Sequence, residues 1–145
     1  MNSHISVITL GVRDVSRAKQ FYSAGLGWPI QQDHGQFVSF KAATGSSALA
    51  LYPLAGLADD AGVSPEGNGF RGLMLSYIVR TDDRVDAVLA EAERAGGTIV
   101  KSAQRAQWGG YFGYFTDPDG YLWKIVSGNY EVQGTPVQTQ DAFSE

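Results

Sequence analysis

Apolar positions recur along this chain with two periods, and each switch between them marks the boundary of an element. From Ile5 to Val12 the pattern alternates. Ile8, Leu10 and Val12 share one face and Val7, Thr9 and Gly11 the other, as in a half-buried strand. Asp14 is placed to cap a following helix, in which Val15, Ala18, Phe21 and Tyr22 recur at near-helical spacing until Gly25 and Gly27 end it. Segments 28–33, 36–42 and 47–53 are short and rich in aromatic or aliphatic residues. His34-Gly35 and Ala43-Thr44-Gly45 separate them as turns of a hairpin meander.

From Pro53 to Gly69 the period is lost in favour of Gly, Ala, Asp and Pro, which predicts a connector with one helical turn at Leu54 to Asp60. The first pattern then begins again. Leu73 to Val79 reads as a strand, and Asp82 to Ala95 as the clearest helix, with Val85, Val88, Leu89 and Ala92 forming one apolar stripe. Asp82 and Asp83 suit its positive N-terminal end, and Gly96-Gly97 closes it. Strands follow at about 98–102, 110–116 and 121–127, the last two joined by Asp117-Pro118-Asp119-Gly120, where both carboxylates serve the turn by bonding nearby backbone N–H groups.

Strand, helix and three strands therefore occur twice. Gly35, Phe37, Phe40 and Gly45 recur as Gly110, Phe112, Phe115 and Gly120, each 75 positions on, as 110 is from 35. An internal duplication is expected. At 145 residues the chain is the size of one domain with a sizeable core, read as module one at about 5–53, connector 54–69, module two at about 70–127 and a tail 128–145. The absence of cysteine excludes disulfides, thiolate ligands and cysteine nucleophiles, so a metal would rest on oxygen or on two histidines. His4 lies at a strand's start and His34 in a hairpin turn, and Arg13 and Arg80 follow the first strands as surface groups. A net charge of −4 with no basic run argues against nucleic acid or an anionic membrane. The opening MNSHISVITL carries no secretory pattern and no stretch is long enough to span a membrane, so a cytoplasmic location is expected.

The string WGGYFGYFTDPDGYLWKIV (108–126) resembles the last hairpin of glyoxalase/bleomycin-resistance (vicinal oxygen chelate) domains. SVITLGVRDVSRAKQFYSAGLGW (6–28) and VDAVLAEAERAGGTIVKSAQ (85–104) look like the family's first strand and helix and its second helix. The resemblance covers nearly the whole chain up to about Ser127. It implies an α+β fold of two βαβββ modules in pseudo-twofold arrangement, with mixed, cup-shaped sheets around a ligand site, and it implies a homodimer.

In metal-using members, ligands come from the first and last strand of each module. The last of these slots, usually the Glu of an LWE string, is Lys124 here, and an ammonium cannot coordinate a divalent cation. The repeat offset puts the matching first-module slot at Leu49, or at Ala50 if the hairpin has slipped by one. Counting seven residues before the Asp of VRD gives Val7, and counting back from the glycine that ends the second helix gives Tyr77. No metal and no other cofactor is therefore expected. Alternation places Phe112 and Tyr114 beside Lys124, with Trp108 overhanging them, and Phe37, Ser39, Thr9 and Tyr77 at matching positions. Members of the family tend to use the positions of Trp108, Phe112 and Tyr114 for binding.

Each aromatic has a plain reading as core, and Lys124 as a lysine that snorkels to solvent. On the binding reading, an aromatic-walled cup with a cation at its floor suits a planar or amphipathic molecule bearing a carboxylate, phenolate or carbonyl. The expected function is then metal-independent binding or sequestering of a small aromatic or amphipathic molecule. The alternative is a glyoxalase-like lyase or isomerase, or a dioxygenase-type enzyme, that uses either unusual metal ligands or metal-free acid/base chemistry with Lys124 and Tyr114 as catalytic candidates.

Overall fold

The computed structural model describes residues 1–128 and the backbone of 131–132 and 135–136. The chain divides into two compact units, Met1–Asn68 and Gly69–Glu145.

In the first unit, β1 (Val7–Val12) leads into α1 (Val15–Gln20), whose N-cap Asp14 accepts from the Arg17 backbone N–H at 3.1 Å. The helix runs on into a π-type turn at Phe21–Gly25, closed by the Leu26 N–H donating to the Phe21 carbonyl at 2.9 Å. Strands β2 (Ile30–Asp33), β3 (Val38–Phe40) and β4 (Ala48–Pro53) complete a four-stranded sheet in the order β1-β4-β3-β2, with β1 and β4 parallel and the other pairs antiparallel. Ala18, Phe21 and Tyr22 carry the helix onto the face of Val38, Phe40 and Leu51, all of them buried. Tyr22 and Trp28 both pack on the Phe40 ring, at 5.8 and 5.9 Å between centroids.

The expected connector contains more structure than its composition suggested. α2 (Leu54–Ala61) packs on the opposite face of this sheet. A β-carbon at Gly11 would lie 2.8 Å from Leu54 Cδ1 and 3.2 Å from the Leu54 backbone, so glycine permits the close approach.

The second unit repeats the plan. β5 (Met74–Val79) precedes α3 (Asp82–Arg94), capped by Thr81, whose hydroxyl oxygen accepts from the Arg84 N–H at 3.1 Å. Strands β6 (Thr98–Arg105), β7 (Tyr111–Thr116) and β8 (Leu122–Ser127) give the order β5-β8-β7-β6, again with only the first pair parallel. Val85, Val88, Leu89 and Ala92 of α3 are buried, as their spacing predicts, together with Phe115, Trp123 and Ile125 of the sheet. The Asp117 carboxylate accepts from the Asp119 and Tyr121 backbone N–H groups, each at 2.9 Å, so it builds the turn as expected. Beyond Gly128 only the backbone pair β9 (Glu131–Val132) and β10 (Thr135–Pro136) is described. The rest of the predicted tail lies outside the described residues. Among the described residues, two mixed four-stranded sheets and three α-helices make this an α+β fold.

Candidate functional site

The two faces of the second sheet divide by residue parity. A β-carbon at Gly113 would meet Leu89 Cδ1 of α3 at 2.6 Å, so Gly113, and with it Phe115, Ile125 and Tyr77 by pairing, belongs to the helix side. Tyr114 pairs with Lys124, and Lys124 with Ser76, on the other side.

On that second side three of the predicted residues come together. The Phe112 and Tyr114 rings meet edge to face at 5.9 Å, and Lys124 Nζ stands 5.0 Å from the Phe112 centroid and 5.9 Å from that of Tyr114. A lysine that the sequence pattern did not single out joins them, with Lys101 Nζ 5.3 Å from the same Phe112 centroid. Strict alternation from Ile99, which pairs with Phe115, would put Lys101 on the helix side. An irregularity between Ile99 and Lys101 inserts Val100 as an extra residue, and Lys101 instead pairs with Tyr114. Burial, and after it the charge of Lys101, hold Lys124 below the ordinary lysine value.

Trp108 lies in the β6–β7 turn, 52% exposed, with its ring in the space a β-carbon at Gly110 would take, 1.9 Å from Cη2. Gly110 has the parity of Phe112, so the indole stands at that end of the aromatic face. The turn is held from the helix side. Arg105 donates to the Gly109 carbonyl at 2.9 Å, pairs with the Asp82 carboxylate and lies over the Tyr111 ring at 5.2 Å. Asp82 also accepts from the buried Ser127 hydroxyl at 2.7 Å. These two hydrogen bonds, that of Ser127 first, lower its pKa. Tyr111 donates to Asp86 at 2.8 Å, which raises the tyrosine pKa.

Other predicted positions fall differently. Tyr77 pairs with Ile125 and so stands on the α3 side, apart from Lys124. Counting back from Gly97 misplaced the slot because the second helix segment is longer: Asp14 to Gly27 spans 13 positions and Thr81 to Gly97 spans 16. Counted from the caps, Val7 matches Met74, each seven residues before its cap and each paired with the first residue of its partner strand, Ala48 or Leu122. The Leu49 slot likewise becomes Ala50, which pairs with Ser39 and Thr9 as Lys124 pairs with Tyr114 and Ser76. Thr9 and Ser39 thus flank Ala50 within the first unit. Phe37 precedes β3 and stacks on His34, the centroids 6.5 Å apart. His34 sits in the predicted turn, and His4 precedes β1.

A metal ion, which the fold would suggest, meets an unsuitable donor set. Val7 and Ala50 carry no donor atom, Met74 offers only a thioether, and Lys124 is a cation beside a second cation. Among the described residues no group of three or more His, Asp or Glu side chains is placed to hold a metal. Nor, among the described residues, is any helix long and apolar enough to cross a membrane.

Solved structures share this fold. A glyoxalase-related enzyme from Fulvimarina pelagi is 26% identical with a TM-score of 0.80, covering 97% of this chain and 100% of that one. A glyoxalase/bleomycin resistance protein/dioxygenase from Nocardioides is 20% identical with a TM-score of 0.75, covering 97% and 91%. Lactoylglutathione lyase from Agrobacterium tumefaciens is 23% identical with a TM-score of 0.65, covering 88% and 96%. No curated protein matches the sequence significantly. The family described as Glyoxalase/Bleomycin resistance protein/Dioxygenase superfamily matches over residues 4–125. With its two repeated sheets and the hairpin string 108–126 that carries Lys124, this chain belongs to the glyoxalase/bleomycin resistance protein/dioxygenase superfamily.

Proposed function

We propose that this protein binds a small anionic aromatic or amphipathic molecule without a metal, on the sheet face built by Phe112, Tyr114 and Lys124. The observation that carries the reading is the Lys124 ammonium, poised over both rings at the place where metal-using relatives are expected to present a carboxylate. The aromatic faces supply apolar contact for a planar ring, Trp108 bounds the row at one end, and the cation attracts a carboxylate or phenolate. Held partly out of water, that attraction is stronger than at an open surface.

A second reading is metal-free acid–base chemistry on the same face. The lowered pKa of Lys124 favours it, since a lysine nearer neutrality can take up a proton, and the Tyr114 hydroxyl is the neighbouring acid. The structural likeness to a glyoxalase-related enzyme agrees with this alternative. The two readings share their residues and differ in whether the bound molecule is changed, which product analysis after incubation decides.

The test uses benzoate as a simple aromatic anion, followed by intrinsic fluorescence and calorimetry. Trp28 packs among Tyr22 and Phe40, and Trp123 is buried against Phe115, which leaves exposed Trp108 as the reporter. Lys124→Glu is expected to weaken benzoate about tenfold or more, the scale of one charge-assisted contact. Trp108→Ala should remove most of the quenching. Unchanged affinity and quenching in the two variants would sink the proposal.

A further inference from the structure

The turn that carries Trp108 is held from both faces of the second sheet. The Gly109 N–H donates to the Ala106 carbonyl at 3.0 Å and the Ala106 N–H to the Gly110 carbonyl at 2.7 Å, which closes a three-residue loop ending on Gly109 at φ +103°. Arg105, paired with Tyr111, lies on the α3 side of that loop. One guanidinium nitrogen donates to the Gly109 carbonyl at 2.9 Å, another pairs with Asp82, and the group lies over the Tyr111 ring. Asp82 is fixed to β8 in turn by the Ser127 hydroxyl. A single planar fork thus joins the loop to the first turn of α3. Its donors are rigid relative to one another, which suits a bridge between two acceptors better than a rotating ammonium.

On the opposite face the indole lies over glycine. Gly110 and Gly128 stand across from each other one step beyond the Tyr111–Ser127 pair, and both have the parity of Phe112. A β-carbon at Gly110 would fall 1.9 Å from Cη2 of Trp108, and one at Gly128 would fall 3.7 Å from Cζ3. The ring therefore takes the place of two side chains at the end of the aromatic face. Trp108 is nevertheless 52% exposed. Where only half of a residue is packed, the backbone that carries it decides where the ring stands.

Building on the binding reading above, we infer that Arg105 is a positioning residue of the site. By joining the Gly109 carbonyl to Asp82 it holds Trp108 on its glycine floor, so the end wall of the aromatic face is set from α3, on the far side of the sheet.

Acrylamide quenching of the full chain, with calorimetric titration of benzoate, tests it. In Arg105→Gln the indole should become more accessible to acrylamide, its emission should move to longer wavelength, and benzoate should bind about threefold or more weakly, the scale of coupling within one network. Made in the Trp108→Ala background, the same substitution should change almost nothing, since the end wall is already gone and Trp28 and Trp123 are packed against Phe40 and Phe115. Gly110→Ala displaces the ring from the other face without replacing Arg105 or Asp82, and should expose it to a similar extent. Quenching that is unchanged in Arg105→Gln or in Gly110→Ala overturns the inference. So does an effect of Arg105→Gln that persists undiminished without Trp108, because Arg105 would then support the fold alone. Benzoate affinity that ignores both Lys124→Glu and Trp108→Ala overturns instead the binding reading, and the quenching comparison, which needs no ligand, separates the two failures.

Discussion

Lys124 shows how one side chain takes its chemistry from its surroundings. On an open strand its ammonium would titrate as any lysine. Here burial and the neighbouring Lys101 disfavour the charged form, so the folded chain releases this proton at a lower pH than the unfolded chain, whose lysine keeps the ordinary value of 10.5. Over the interval between the two values the unfolded state binds more protons, and stability rises with pH as the penalty disappears. The difference in melting temperature between the parent chain and Lys124→Met is therefore expected to shift in favour of the parent as pH climbs through that window. A difference that stays flat would show that Lys124 is fully solvated. The position of this lysine was legible in the string GYLWKIV. Lys101 was not, because its orientation depends on a bulge that periodicity alone does not register.

At the scale of elements, close approach and end-capping decide how α3 sits on its sheet. Gly113 lets Leu89 into the sheet, and a β-carbon there would meet Leu89 Cδ1 at 2.6 Å and the Lys101 carbonyl at 3.0 Å. Because part of that contact is backbone, Gly113→Ala is expected to destabilise by about 1–3 kcal/mol, the range for overpacking a filled core, measured by urea unfolding. Asp82 ties the helix start to β6 and β8 through Arg105 and Ser127. Its carboxyl titrates below the ordinary 3.8 in the folded chain, so its contribution is complete above that value and is lost as pH falls through the lowered one. Asp82→Asn should therefore melt earlier than the parent at neutral pH, and the gap should close in strong acid. The helices themselves were legible from caps and apolar stripes. The second helix of the first unit was underestimated, since Leu54 to Ala61 carries glycine and no side-chain cap, and its packing on β1 and β4 compensates for weak local preference.

Across the whole molecule, one supersecondary plan is used twice with small differences in length, and those differences move the chemistry. A helix segment longer by three residues shifts the equivalent of Val7 from Tyr77 to Met74, an odd number that also changes the face of the sheet. The positions at which the family resemblance implies metal ligands then carry Val7, Ala50, Met74 and Lys124, none of them a hard-ion ligand. Thermal-shift titration with zinc, nickel and manganese is expected to leave the melting temperature unchanged, and elemental analysis of the purified chain to find no stoichiometric metal. A stabilisation of several degrees by any of the three would reopen Lewis-acid chemistry for this protein.

By itself the sequence determined the repeated order of strand, helix and three strands, the caps and turns, the composition of the core and the family, because each of these rests on local periodicity or on a contiguous string. Tertiary structure decided the pairing register, and with it the exchange of Leu49 for Ala50, the removal of Tyr77 from the site and the arrival of Lys101. In a sheet a shift of one residue reverses the face of every side chain, and neither a bulge nor an added helical turn leaves a periodic trace by which it could be counted.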